Sequence, residues 1–457
     1  MRILLISANV ATTPYPVYPL GLSMVANALR TAGHEVRQYD FLYKGLSLDD
    51  LSETLKQFGP SLIGISIRNL DNVNLLNEQR YLDVVQSMVQ MIKRQTDTPV
   101  VLGGAGFSMM PEAVLNFIGG DYGIVGEAET AMVEFAEAAS RGSYPQERCL
   151  RAAPKLFGHE IPSAFYEPEL MDFYLKRGNI IGVQTKRGCA HNCVYCTYPF
   201  LEGQEIRCRD PKAVVEDIQA LVNTHGAKYI FFTDSLFNDD EGRYMDVVHE
   251  MKNRGVNVPW TAFFKPEGLT DENLALMKET GLSAAEMGSD ATTDITLKGL
   301  GKTFLFKDIV RCHNLLQNHK ISSIYYYMFG GPGETEETVR EGIKNILSLE
   351  NAISFIFMGI RILPGSPLFN IAQKEGLVAK GQSLLEPAYY FAPGMDRKWL
   401  EETLTKAFAG LRHCVFPADA LDSSLQLLHN MGYSGMMWEM IKRKDSRGKR
   451  AGLNATS

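Results

Sequence analysis

The chain has 457 residues, 45% hydrophobic and 22% charged, with a formal net charge of −7. That length exceeds one ordinary core and suits two or three domains, the composition is that of a globular protein, and the negative balance argues against a general nucleic-acid binder, which needs an excess of Lys and Arg. No apolar run approaches the roughly 18 residues of a transmembrane segment, Met1–Val10 lacks the pattern of a secretory leader, and the seven cysteines are odd in number, so a reducing, cytoplasmic setting is expected.

Short β-branched runs alternate with helical patterns through residues 1–140: RILLIS (2–7) with Leu20–Ala32, HEVRQYDF (34–41) with Leu48–Phe58, SLIGISI (61–67) with Asn77–Arg94, PVVLGG (99–104) with Pro111–Phe117, and DYGIVG (121–126) with Ala128–Ala139. This α/β alternation predicts a doubly wound, Rossmann-like parallel sheet whose ligand sits beyond the carboxyl ends of its strands. Residues 141–178 carry Pro145, Pro154, Pro162 and Pro168 without a sustained period, which predicts a linker.

A second alternation begins at NIIGVQTK (179–186) and continues through KYIFFTD (228–234), VPWTAFF (258–264), SAAEMGSD (283–290), ISSIYYYMFGG (321–331) and AISFIFMGIR (352–361). Six such runs predict a partial (β/α)6 barrel over 179–378, shorter than the eight-fold barrel. Residues 379–457 read as a mostly helical carboxy-terminal region, with KRKDSRGKR (442–450) as a frayed, solvated tail.

The first barrel strand runs into Cys189-Ala190-His191-Asn192-Cys193-Val194-Tyr195-Cys196. The spacing C-x3-C-x2-C brings three thiolates to one small volume, as iron–sulfur ligation requires. Three ligands leave one iron of a cubane open to a substrate or cofactor, which makes the site catalytic rather than an electron relay. A zinc site would want a closed set of ligands or three plus water; His191 is awkwardly placed for that, and no second C-x2-C exists in the chain. Cys149, Cys208, Cys312 and Cys414 are scattered and read as apolar core residues.

The cysteine loop, with Tyr195 before its third cysteine, resembles that of the radical S-adenosylmethionine (SAM) superfamily, and the resemblance extends along the barrel. It implies a 4Fe-4S cluster on Cys189, Cys193 and Cys196. It also implies SAM contacts from Tyr195, Asp234 in Thr233-Asp234-Ser235, Glu286 and Asp290 in the fourth strand, Gly330 and Gly331 in the glycine-rich turn, and Arg361 after the sixth strand. Asp290 alternatively caps the following helix. Leu363–Leu368 is similar to the turn that ends the barrel in relatives.

Residues 1–140 resemble the cobalamin-binding domain that precedes the barrel in one branch of that superfamily. The resemblance implies cobalamin contacts from Leu20, Ser66, Arg68, Asn69, Gly103, Gly104, Gly126 and Glu127. The histidine-ligated version carries D-x-H-x-x-G after the first strand, whereas this chain reads Ala8–Thr13 without histidine. Cobalt is therefore expected without a histidine ligand, its lower face shielded by Arg68 and Asn69 or by the loop Thr12–Tyr18.

Together the resemblances imply a cobalamin-dependent radical SAM enzyme that methylates an unactivated carbon of a small-molecule, lipid or carrier-bound substrate, served by an electron donor such as a flavodoxin or ferredoxin. A rearrangement or ring-forming reaction, and a cobalamin or SAM sensor without turnover, are the alternatives. Tyr325, Tyr326, Tyr327, Tyr389 and Tyr390 are expected in the core rather than in a substrate pocket.

Overall fold

The computed structural model describes residues 1–441 apart from Pro154 and Glu439. The basic stretch 442–450, expected as a solvated tail, lies outside the described residues. Strands β1 (Arg2–Ser7), β2 (Glu35–Asp40), β3 (Leu62–Ser66), β4 (Val100–Gly103), β5 (Tyr122–Val125) and β6 (Cys149–Arg151) form one parallel sheet in the order β2-β1-β3-β4-β5-β6. Helices cover both faces, so the central strands are apolar without alternation: Ile3, Leu4, Leu5 and Ile6 are all buried. β2 lies on one side of β1 and β3 on the other, and such a reversal opens a crevice at the carboxyl ends of the strands.

The stretch expected as a linker supplies β6 at the edge of this sheet and the helix Pro168–Leu175. A strand of three residues is too short to show a period, so it left no trace in the sequence.

The second sheet contains β7 (Ile180–Val183), β10 (Tyr229–Phe232), β11 (Trp260–Phe264), β12 (Leu282–Asp290), β13 (Ser322–Phe329) and β14 (Ile353–Met358). All are parallel, as is β17 (Cys414–Val415), which extends the sheet beyond β14. β8 (Lys186–Arg187) pairs antiparallel with β9 (Arg207–Cys208), and β15 (Ile360–Arg361) with β16 (Tyr389–Tyr390). The carboxy-terminal region holds the helices Arg397–Phe408 and Asp422–Asn430, with β16 and β17 as short strands beside them.

The two faces of the barrel strands differ in burial. Outward residues such as Ile230, Phe232, Trp260, Phe264, Tyr325 and Tyr327 are buried under helices, whereas the inward Gly182, Phe231, Phe263, Gly288, Tyr326, Met328 and Phe357 are only half-buried. A closed eight-stranded barrel fills its interior with side chains; this arc of seven parallel strands leaves an aromatic inner face half-buried. Its floor is sealed by Tyr15 of the amino-terminal domain and by Val415, Ala418, Met436 and Trp438.

Buried ion pairs join the amino-terminal domain to the ribbon β8–β9 and to β15. Arg207 grips both oxygens of Glu127, Arg187 reaches Glu127 (3.2 Å) and Glu129, and Arg361 pairs with Asp71 (3.0 Å). Among the described residues no helix is long and apolar enough to cross a membrane.

Candidate functional site

The cysteine loop leaves the ribbon strand β8 through Gly188, whose φ of +94° and whose approach to Glu205 O, 1.9 Å from where a Cβ would stand, exclude any other residue. Backbone bonds pin the loop at three points: Cys189 N–H donates to Gly203 O (3.0 Å), Val194 N–H to Leu300 O (3.0 Å), and Leu368 N–H to Val194 O (2.7 Å). Cys189 is buried and Cys193 and Cys196 are half-buried. Burial pushes the Cys196 thiol up to about 12 and raises that of Cys189, so thiolates there call for bound cations. No three His, Cys, Asp or Glu side chains among the described residues are gathered closely enough to hold a single metal ion. Three thiolates on one fixed loop are the donor set that a 4Fe-4S cluster with one open iron requires.

Lys302, which sequence reasoning missed, stands beside this loop. Its ammonium donates to Asp290, to Gly288 O (2.9 Å) and to Tyr195 Oη (3.2 Å), and it contacts Cys193. The Tyr195 hydroxyl donates to Asp290 Oδ2 (2.5 Å). Asp290 is reached through a register shift between Met287 and Asp290 and has φ of +62°, a backbone state that Asp tolerates better than most residues. The shift turns its carboxylate toward the cysteine loop. The adjoining Ser289 hydroxyl is buried without a partner, which fits a polar ligand such as the sugar of SAM. The signal for Lys302 was Gly299-Leu300-Gly301-Lys302: Gly301 passes within 2.9 Å of Asn192 O, measured from its missing Cβ.

Four of the expected SAM contacts sit in other roles. Asp234 accepts from Thr185 N–H (2.7 Å), Thr185 Oγ1 (2.5 Å) and Lys186 N–H (3.2 Å), so its oxygens staple β10 to the β7–β8 connection. Arg361 spends its donors on Asp71, Ile362 O and Leu384 O; a guanidinium so engaged has no fork left for a carboxylate. At Gly330 and Gly331 the space a Cβ would take is filled by Phe391 (2.8 Å) and by Ile360 (3.1 Å) with Leu300 (3.3 Å). The missing side chains of these glycines make room for neighbouring side chains of the barrel. Glu286 lies deeper, inside the barrel, where Tyr326 Oη donates to its Oε2 (2.7 Å).

The cobalamin expectations divide similarly. Ser66 and Gly103 are Cα partners at the ends of β3 and β4, facing the crevice. Gly104 has φ of +98° and would place a Cβ 2.6 Å from Ile67 O, and Gly106 touches the backbone of Asn69; both let the β3 and β4 loops close on each other. Gly126 has φ of +92° with open space where a Cβ would be. Arg68 is exposed; its carbonyl accepts from Gly106 N–H (3.0 Å), and its guanidinium forms no ion pair or hydrogen bond among the described residues. Glu127 is withdrawn into its pairs with Arg187 and Arg207, which hold its carboxyl below the usual range, and Leu20 packs 3.9 Å from the Cβ position of Gly182 in the barrel. These two belong to the seam between the domains.

The two half-sites face one another. The helix Ala105–Met109, at the end of β4, packs against Tyr198–Leu201, which follows the third cysteine. Tyr198 is 41% accessible, yet surrounding protein pushes its hydroxyl up to about 12 and it senses the charge of Arg68, as expected inside an enclosed cleft. Tyr15 lies within electrostatic reach of both Arg68 and Glu286. A buried, unpartnered Asn9 Nδ2 lies in the loop after β1. Open strand ends, an unpaired guanidinium and an unsatisfied amide fit a large amide-rich cofactor such as cobalamin.

Residues 6–136 match the B12 binding domain family, and residues 183–346 match the radical SAM superfamily. The structure of TsrM, a radical S-adenosylmethionine methyltransferase from Kitasatospora setae, solved with tryptophan substrate and a SAM analogue, superposes over 100% of both chains with a TM-score of 0.83 at 23% identity. The tryptophan 2-C-methyltransferase of Streptomyces laurentii is 25% identical over 429 residues, 76% of this chain and 71% of its own length. The cytidylyl-2-hydroxyethylphosphonate methyltransferase of Streptomyces wedmorensis is 23% identical over 451 residues, 82% of each.

Proposed function

We infer, for a chain that belongs to the radical SAM superfamily and carries a B12 binding domain ahead of its barrel, that it methylates a carbon centre of a small-molecule substrate held inside the barrel. The cofactors are a 4Fe-4S cluster, SAM and cobalamin. The observation that carries the reading is the packing of the helix Ala105–Met109, after β4, against the helix Tyr198–Leu201, after the third cysteine, which sets the cysteine loop beside the cobalamin crevice. The methyltransferase names of relatives matched over most of the chain support it.

When bound, the cluster with SAM supplies one-electron and carbon-radical chemistry, and cobalamin supplies a methyl carrier. The chain's own residues bind, orient and shield. Cys189, Cys193 and Cys196 hold the cluster and leave one iron for SAM. Lys302 and Asp290 present a fixed charge pair to the amino-acid and sugar ends of SAM, and Tyr195 locks that pair to the cysteine loop. Ser66, Gly103 and Gly126 would admit the nucleotide tail of cobalamin, and Arg68 would meet the cofactor with donors and no lone pair to offer a metal. The aromatic walls of the barrel exclude water, which protects a reactive carbon from quenching. The electron comes from a flavodoxin- or ferredoxin-like donor.

The test is anaerobic incubation of the reconstituted enzyme with SAM and candidate extracts, followed by mass spectrometry. A product one methyl group heavier than its substrate is expected. SAM turnover with an unmethylated, rearranged product would overturn methylation, and absence of both turnover and cobalamin binding would overturn the reading as a whole.

A further inference from the structure

The helix Asp422–Asn430 turns one face to the core and leaves a second, apolar face uncovered. Leu425 and His429, four residues apart, are buried, and Leu421 at the start of the helix packs on the cluster that seals the barrel floor. On the opposite side Leu427 is 60% and Met431 66% exposed. These two are also four residues apart, and Met431 N–H donates to Leu427 O (3.0 Å), so they lie one above the other on a single stripe. Tyr433 follows at the helix end, 48% exposed, its N–H donating to Leu428 O (3.1 Å). Between Asp422 and Glu439 the sequence has no Asp, Glu, Lys or Arg, in a chain of which 22% of residues are charged. A helix at a protein surface ordinarily puts charged and polar residues on its outer side; this one puts Leu and Met there.

Positive charge is concentrated next to the stripe. Ile441 is buried in the floor cluster with Trp438, Met436 and Leu421, so the sequence after it starts from the same end of the barrel. Residues 442–450 hold six Lys or Arg and one Asp, although the whole chain has a net charge of −7. Pairing of two copies through a two-fold axis would set the stripe against itself and bring two cationic runs together, which is repulsive. A nucleic acid answers the cations but not Leu427 and Met431, because phosphates are bound by Lys and Arg. An anionic bilayer surface answers both: its acyl boundary takes the apolar side chains and its headgroups take the cations. One such signal gives marginal, reversible attachment, and stable attachment needs two.

We propose that this end of the molecule docks on the surface of a bilayer containing anionic lipid, with Leu427, Met431 and Tyr433 entering the boundary between headgroups and acyl chains and the cations of residues 442–450 neutralising the headgroups. The proposal is independent of the reaction and of its substrate.

The test is co-sedimentation of the full chain, with its cofactors reconstituted, with vesicles of phosphatidylcholine alone and of phosphatidylcholine mixed with phosphatidylserine. Binding is expected to the mixed vesicles only, and should weaken as salt is added. A cation near an anionic surface corresponds to about fivefold in affinity, so Lys442→Gln, Arg443→Gln and Lys444→Gln together should weaken binding by about 100-fold. Leu427→Ser with Met431→Ser should weaken it by about tenfold or more. Both side chains are exposed, so the thermal midpoint and the iron and cobalamin contents of that double variant should equal those of wild type. Equal binding to the two kinds of vesicle, binding to neither, or wild-type binding by the double variant would overturn the proposal. A dimer that the double variant loses, in a protein that ignores vesicles, would assign the face to a second copy, and tighter binding to duplex DNA than to vesicles would assign the cations to nucleic acid; either result overturns it.

Discussion

A thiolate that ligates iron must be formed against its surroundings, and at Cys196 burial opposes it, holding the thiol at about 12. Iron and the neighbouring Lys302 supply the compensating positive charge, so each ligand depends on the others. Replacing Cys189, Cys193 or Cys196 by Ala should therefore abolish the reconstituted cluster absorbance and SAM cleavage. Cys208→Ala or Cys312→Ala should leave both in place, since Cys208 lies on the ribbon strand β9 and Cys312 in the helix Phe306–Asn318. Intact absorbance in any of the first three would refute the ligand set. Asp290 touches Tyr195 and Lys302, so Asp290→Ala should weaken SAM about tenfold, the magnitude of one charge-assisted bond, with iron per chain unchanged. An equal fall in iron would show that Asp290 supports the cysteine loop instead. The unpaired Arg68 and the histidine-free loop after β1 lead to a further expectation. Electron paramagnetic resonance of the Co(II) form should show no hyperfine splitting from a coordinating nitrogen, and such splitting would remove Arg68 from the lower face.

Among elements, the ribbon β8–β9 and the strand β15 carry the contacts that dock the barrel on the amino-terminal domain. Asp71 and Arg361 are each 2% exposed at the side chain, so removing one leaves the other charged and buried. Asp71→Ala should destabilise the protein by about 3–5 kcal/mol, whereas the double replacement Asp71→Leu with Arg361→Met should recover most of that loss, because two apolar groups replace two buried charges. Denaturant midpoints of the three proteins decide the matter. A single variant as stable as wild type would show that the pair is not a buried clamp.

For the whole molecule, two strongly shifted buried carboxyls contribute to the response to pH. Glu286 and Glu334 are both raised from 4.5 to about 7 by burial, so the folded chain binds more protons than the unfolded chain between those values. Stability then falls as the pH rises through that window. Glu127 and Asp239, lowered by Arg207, Arg187 and Lys186, act oppositely: their contribution is present at neutral pH and is lost as the pH drops through their folded values. The thermal midpoint of the cofactor-free chain should be higher near about pH 5.5 than near about pH 8, and should fall again in stronger acid. A midpoint that rises steadily to pH 8 would contradict the burial of Glu286 and Glu334.

Local sequence determined the strands, because five runs in the first 140 residues and six in the barrel carry enough β-branched and aromatic residues to declare themselves, and it determined the cysteine loop, because three ligands lie within one short segment. It also put Ser66 and Gly103 at strand ends, where the register of β3 and β4 sets them side by side. Tertiary structure decided the rest. β6 and β17 are two or three residues long and exist through pairing with a neighbour, so no periodicity betrays them. Arg361, Asp234 and Glu127 are polar residues near strand ends, as ligand-binding residues are, and only their partners Asp71, Thr185, Arg187 and Arg207, distant in sequence, show that their hydrogen-bonding capacity is already spent. Tyr326 belongs to a run of three tyrosines whose composition is that of a core; the alternation of a strand puts Tyr325 and Tyr327 under helices and Tyr326 on the half-buried inner face beside Glu286, and that face is left because an arc of seven strands does not close upon itself.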